Sequence, residues 1–140
     1  MLMNVNLHSS VTVYAQIENH VRFAIASGLL KAGDQLPSVR ELAERLDVNP
    51  NTIVKAYRDL EVMGYLYTRR GMGVYISKDI EKKCREECRK AIITRLCEVI
   101  SEAKAAGISM TELKEIIQKC TNMRLSLYSD IPPELLATAK

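Results

Sequence analysis

The sequence predicts a mainly α chain with a small β-hairpin wing: a winged helix-turn-helix domain over residues 1–78 and a C-terminal helical dimerisation hairpin over residues 79–140. Three observations predict it. Apolar residues recur at helical spacing through most of the chain, a brief interruption at Asp47-Val48 separates two short helical patterns, and the period falls to two between Tyr65 and Ile76. Composition agrees, with 47% apolar and 26% charged residues, the profile of a chain that packs a core rather than staying disordered. Aromatic residues are only 5% and Trp is absent, so the core rests on Leu, Ile, Val, Ala and Met, which suit helices.

The first helix is carried by Tyr14, Ile17, Val21, Ala24 and Ile25, with Thr12 as its cap and Gly28 as its stop. A loop rich in breakers follows, Lys31 to Pro37. Ser38-Val39-Arg40-Glu41 then reads as a capping box that opens a second helix with Leu42, Ala43 and Leu46 on its apolar face. Asn49-Pro50 places a good N-cap before a Pro at the first helical position, and a third helix runs to about Met63, where Gly64 stops it. Ile53, Ala56, Tyr57, Leu60 and Met63 mark its inner face. Beyond it, Tyr65–Thr68 and Gly73–Ile76 alternate as strands around Arg69-Arg70-Gly71-Met72, a hairpin with a basic tip.

From residue 79 to about 106 one long helical pattern carries Ile80, Cys84, Cys88, Ala91, Ile92, Leu96, Val99, Ile100 and Ala103 on a stripe that ends at Gly107. Ser109-Met110-Thr111-Glu112 is a second capping box, opening a helix with Leu113, Ile116, Ile117 and Cys120. A hairpin of two helices encloses no core of its own, so Ile92, Leu96, Val99, Ile100, Leu113, Ile116 and Ile117 are expected to meet a second copy of the chain. The segment Asp130-Ile131-Pro132-Pro133 reads as irregular.

Net charge is +3, with nine Lys and Arg against seven Asp and Glu in residues 1–78 and eleven against ten in residues 79–140. Neither half is a basic tail, and what counts is where the cations cluster. Within residues 48–78, Lys55, Arg58, Arg69, Arg70 and Lys78 face only Asp59 and Glu61. A helix-turn-helix sets the N-terminal part of its second helix into the major groove, which nominates Asn49, Asn51, Thr52 and Lys55. Asn pairs with adenine, a Thr methyl meets thymine, and Lys reaches guanine or phosphate. Asn49 has a competing role as a cap. Arg40 sits in the first turn of its helix, where the dipole disfavours a cation, so either a DNA contact or a pair with Glu44 accounts for it. Arg69, Arg70 and Gly71 at the wing tip suit the minor groove or phosphates, and Ser38 and Arg58 complete the candidates. Tyr57 is read as core with its hydroxyl at the surface.

The runs Leu36-Pro37-Ser38-Val39-Arg40-Glu41-Leu42-Ala43, Val48-Asn49-Pro50-Asn51-Thr52-Ile53, Ala56-Tyr57, Leu60-Glu61, Gly64-Tyr65-Leu66 and Gly71-Met72-Gly73-Val74-Tyr75-Ile76 resemble the DNA-binding domain of the GntR family over about residues 8–77. The short helical remainder resembles the YtrA subfamily, in which a small dimerisation region replaces a large effector domain. The resemblance implies DNA contacts from Arg40, Asn49, Asn51, Thr52, Lys55, Arg70 and Gly71. It departs from many members at Val54 and Pro50, where they carry Arg. The implied activity is that of a sequence-specific transcription regulator, a repressor, holding double-stranded palindromic operator DNA as a homodimer, without a cofactor and with no effector named by the sequence.

Other classes are weaker. His8 and His20 are the only histidines, and no nucleophile set, phosphate loop or zinc-type spacing appears, so an enzyme is not expected. A winged-helix module for protein or RNA contacts is opposed by the basic wing tip. Cys84 and Cys88, one helical turn apart, allow a thiol- or metal-responsive regulator using a soft metal, but their apolar stripe favours a core role. No leader or membrane-length apolar stretch appears, so a cytoplasmic location with reduced Cys84, Cys88, Cys97 and Cys120 is expected.

Overall fold

Thr12 opens α1 (Val13–Ala26) by accepting the Ala15 amide on its hydroxyl at 3.4 Å. In the computed structural model, which describes residues 3–136, this helix is followed by α2 (Val39–Leu46), α3 (Pro50–Val62), β1 (Leu66–Arg69), β2 (Gly73–Ile76), α4 (Glu81–Ala105), α5 (Met110–Asn122) and α6 (Pro133–Leu136). The outermost residues of the two segments read from the sequence, 1–2 and 137–140, lie outside the described residues.

The helix starts follow from local chemistry. Ser38 Oγ accepts the Glu41 amide at 3.1 Å, Asn49 Oδ1 accepts the Asn51 amide at 2.8 Å, and Ser109 Oγ accepts the Glu112 amide at 3.1 Å. Each satisfies an amide that the first turn cannot pair within the helix. The turn between α2 and α3 is tight because Asp47 takes a left-handed conformation, φ 53°, as the C-cap of α2. Asp is among the few side chains that tolerate this region.

Chain packing divides into two compact units, Met1–Lys90 and Ala91–Lys140. In the first, Ile17, Val21, Ile25, Leu42, Ile53, Leu60, Tyr65 and Ile76 form one buried cluster joining the three helices to the hairpin. Full burial of such a side chain is worth about 1.5–3 kcal/mol. Ile80, just before α4, joins the same cluster, as do Cys84 and Cys88, which are spaced by four and present one stripe of that helix. The N-terminal arm joins as well: Met3 is buried, and the buried Gln16 side chain accepts the Asn6 amide at 2.8 Å and donates to the Asn6 and Val11 carbonyls at 2.8 Å.

The hairpin is antiparallel, pairing Leu66 with Ile76, Tyr67 with Tyr75, Thr68 with Val74 and Arg69 with Gly73. The preceding loop, read from sequence only as a run of breakers, lies along β2. Gly33 and Leu36 amides donate to the Ile76 and Val74 carbonyls, and Gln35 bridges Tyr75. In the second unit, Ala103 and Leu113 are buried, whereas Ile92, Leu96, Val99, Ile116 and Ile117 are exposed. The chain at 130–132 is irregular as expected, but Pro133 begins the short helix α6, consistent with the preference of Pro for a first turn.

Candidate nucleic-acid interface

Burial fixes which way α3 faces. Ile53, Ala56, Tyr57 and Leu60 are buried, so Asn51, Lys55 and Arg58, spaced by four and three, occupy the outer face and are exposed, with Thr52 half-buried at its edge. Val54 is also exposed on this helix, a position not among those nominated from the sequence. An exposed Val among polar readers offers a methyl contact to thymine. Asn49 is exposed too, but its Oδ1 is occupied by the cap. Ser38 Oγ is likewise engaged by the Glu41 amide, leaving its hydroxyl hydrogen to donate outward.

Arg40 lies 91% exposed at the start of α2 and pairs with Glu44 at 3.3 Å. An exposed pair four residues apart is worth only a few tenths of a kcal/mol, about 0.3–0.5, so it ties the guanidinium down little. Lys55 is held more firmly: its ammonium lies 3.2 Å from Asp59 and 4.4 Å from the centre of the Tyr14 ring on α1. Asp59 in turn faces Glu18 of α1. Burial, with the neighbouring Asp59 carboxyl added, pushes the Glu18 carboxyl from 4.5 up to about 7. The neighbouring Glu18 carboxyl and the Lys55 hydrogen bond hold Asp59 below the usual carboxylate range.

At the wing, Arg69, Arg70 and Gly71 are all exposed, and the Arg69 guanidinium lies 5.7 Å from the centre of the Tyr75 ring. The tip is fixed from behind. Met72 O accepts from Gln35 Nε2 at 3.0 Å and from the Tyr75 hydroxyl at 2.9 Å. Gly73 permits this at φ 114°, since a Cβ there would lie 2.6 Å from Gln35 Nε2. Gln35 therefore supports the wing, and no local pattern signals it, because its partner is 37 residues away.

Tyr57 corrects one expectation. Its hydroxyl does not open to solvent but donates to the Pro37 carbonyl at 2.7 Å, tying the middle of α3 to the entry of α2. Burial raises the phenol above the usual tyrosine range. Both cysteines of interest are core: Cys84 Sγ donates to the Arg22 carbonyl at 3.1 Å, and burial pushes its thiol up to about 12, with Cys88 buried beside it. Among the described residues no group of three or more His, Cys, Asp or Glu is placed to hold a metal. None of the described helices is long and apolar enough to cross a membrane.

Three helices around one core, a basic hairpin behind the third helix and a polar outer face on that helix define a winged helix-turn-helix DNA-binding domain. The family model of bacterial regulatory proteins, gntR family, matches residues 13–76. The HTH-type transcriptional repressor YtrA of Bacillus subtilis (strain 168) is 37% identical over 118 residues, covering 84% of this chain and 91% of that protein. Among solved structures, a GntR family transcriptional regulator from Listeria monocytogenes is 39% identical, with a TM-score of 0.63 over 79% of this chain and 96% of that one. YtrA from Sulfolobus acidocaldarius, a GntR-family transcription factor, is 33% identical, with a TM-score of 0.55 over 69% of this chain and 99% of that one. The chain belongs to the GntR family, and it is a DNA-binding transcription regulator rather than an enzyme.

Proposed function

We propose that the chain is a repressor that binds a palindromic operator as a homodimer, with residues 1–78 on the DNA and residues 79–140 holding two copies together. The observation that carries this is the bare apolar surface of the second unit: Ile92 is 56% exposed, Leu96 48% and Val99 51%, with Ile116 and Ile117 also open. Ile100, half-buried, and Leu113, buried, complete the proposed interface. Water disfavours so many adjacent apolar side chains, and a second copy presenting the same stripe covers both at once.

Dimerisation supplies what one domain lacks. A single recognition helix reaches a few base edges, whereas two related by a two-fold axis read an inverted repeat. On each half-site Asn51 pairs with adenine, Thr52 and Val54 meet thymine methyls, and Lys55 reaches guanine or phosphate. Asn49 acts mainly as the cap of α3. Arg40, Arg58 and Ser38 neutralise or bind the adjoining backbone, and Arg69, Arg70 and Gly71 approach the minor groove or its phosphates. Repression needs only occupancy of the operator, and it is the activity named for the Bacillus subtilis relative. Such a protein works in the cytoplasm, where the chromosome lies.

Selection of duplexes from a random-sequence pool by the full chain, followed by sequencing, tests the reading. Enrichment of an inverted repeat supports it. Enrichment of a single unrepeated site, or of nothing, overturns the palindromic operator.

A further inference from the structure

One apolar side chain stands among the cations of the wing. Met72 is 60% exposed at the tip of the hairpin, between Gly71 and Gly73 and close to Arg69 and Arg70. Single exposed apolar residues are ordinary on a protein surface. This one differs in how its backbone is held. The Met72 amide donates to the Arg69 carbonyl at 2.9 Å, and the Met72 carbonyl accepts from Gln35 Nε2 at 3.0 Å and from the Tyr75 hydroxyl at 2.9 Å. Tyr75 is itself stacked on Tyr67, with ring centres 5.6 Å apart. Gly71 and Gly73 take φ 77° and 114°, values that let the chain turn tightly on either side of Met72. The fold thus fixes the main chain of Met72 and leaves its side chain facing outward, unused by the core.

We propose that Met72 is a specificity-determining residue: its thioether side chain packs on the floor of the minor groove beside each half-site and selects A·T over G·C pairs there. This rests on the reading of the wing as a DNA contact. Phosphates along the backbone call for cations, whereas the minor groove takes apolar side chains, Met among them, beside Arg. The tip carries both kinds. Arg70 is a charged donor for the groove, and Met72 is an apolar surface for its floor. Because the main chain of the tip is already ordered, little conformational freedom is lost when it docks.

The chemistry of the floor sets the preference. An A·T pair presents only acceptors there, adenine N3 and thymine O2, while a G·C pair adds the guanine amino group. Those acceptors suit Arg70, whose guanidinium only donates. The amino group stands up from the floor where the methyl end of Met72 has to lie. A thioether is a weak acceptor, so packing it there strips a donor of water without replacing the hydrogen bond. Met72 therefore discriminates by leaving G·C unsatisfied, and a side chain able to accept from guanine removes the discrimination.

The test measures affinity of the full chain, at several salt concentrations, for a duplex selected from a random-sequence pool. Pairs flanking each half-site are set in turn to A·T, to G·C and to inosine·cytosine, which differs from G·C only in lacking the guanine amino group. The wild type should bind A·T and inosine·cytosine alike, and G·C about three- to tenfold more weakly. Met72→Ala should lose about three- to tenfold on A·T and treat the three duplexes equally, with salt dependence and melting unchanged. Met72→Leu should keep the preference, and Met72→Gln, whose amide oxygen accepts from guanine, should lose or invert it. A wild type that binds inosine·cytosine as weakly as G·C reads the pair from the major groove, which overturns the proposal. A wild type indifferent to the flank, or a Met72→Ala profile identical to that of the wild type, overturns it as well. Arg70→Ala separates the two levels. If both Arg70→Ala and Met72→Ala match the wild type in affinity and salt dependence, the wing is not on the DNA; weakened Arg70→Ala beside unaltered Met72→Ala removes only Met72.

Discussion

The two units solve the burial problem differently. In the unit Met1–Lys90 the apolar side chains of α1, α2, α3 and the hairpin find partners within the chain, and Ile17, Val21, Ile53, Leu60, Tyr65 and Ile76 are fully enclosed. In the unit Ala91–Lys140 Ala103 and Leu113 are the buried apolar side chains among the described residues, Ile100 is half-buried, and Ile92, Leu96, Val99, Ile116 and Ile117 stay open. The first unit is thus built to stand alone and present a polar face. The second, on the proposed reading, is completed by another copy of the chain. Stability of the first should be independent of concentration, and order in the second should follow mass action.

The sharpest break of that contrast is a charge in the open stripe. Leu96→Glu should cost several kcal/mol of association, about 3 or more, because an unpaired carboxylate would have to be buried in the proposed interface. Sedimentation should show monomers, while far-UV dichroism reports an intact N-terminal unit; a mutant that still dimerises at wild-type affinity would remove Leu96 from the interface. Paired Leu→Ala truncations refine the point. Leu60→Ala should lower unfolding stability by about 2–5 kcal/mol at any protein concentration, whereas Leu96→Ala should act only through the monomer-dimer equilibrium. Thermal melts at two concentrations distinguish them, and a concentration-independent loss in Leu96→Ala would show that the stripe is internal core.

Within the first unit the same logic separates side chains used for folding from those kept for DNA. Arg40→Ala and Arg70→Ala should each weaken operator binding by about 1–3 kcal/mol if a base is contacted, or reduce the salt dependence by about one if a phosphate is, with no change in melting. Unchanged affinity and salt dependence in both would discard the placement of α2 and the wing. Asn49→Ala should instead cost about 1 kcal/mol of stability by removing the cap of α3, and Asn51→Ala should leave melting unaltered while weakening binding.

A smaller effect concerns pH. Glu18 keeps its proton up to about 7 in the folded chain against an ordinary value of 4.5, so the folded state binds more protons than the unfolded one between those values. Stability contributed by this group is therefore greatest on the acid side and declines as pH rises from 4.5 towards 7; the lowered Asp59 acts in the opposite sense only below 3.8. Glu18→Gln should flatten the stability profile across that window, and an identical profile in both proteins would show that Glu18 titrates as an ordinary exposed carboxyl.

What the sequence discloses and what it hides divide by range of interaction. The caps at Ser38, Asn49 and Ser109, the stop at Gly64 and the alternation of Gly73–Ile76 are local, and each appears where the residue types require it. The left-handed Asp47 leaves a weaker trace, since Asp is only one of several residues that end a helix. Supports that cross the fold leave none: Gln35 on the Met72 carbonyl, Gln16 on the N-terminal arm, Tyr57 on Pro37 and the Tyr14 ring under Lys55. Each depends on elements meeting in space. For the same reason the outer face of α3 was readable from its period, but the restraint on Lys55 was not.

The most direct test of the account is the mass of the wild-type protein by sedimentation equilibrium, free and on a selected inverted-repeat duplex. Two copies per particle in solution and two per duplex are expected, with the open stripe covered. A protein that remains monomeric in both states contradicts the role assigned to Ile92, Leu96, Val99, Ile116 and Ile117 and, with it, the two-fold reading of the operator.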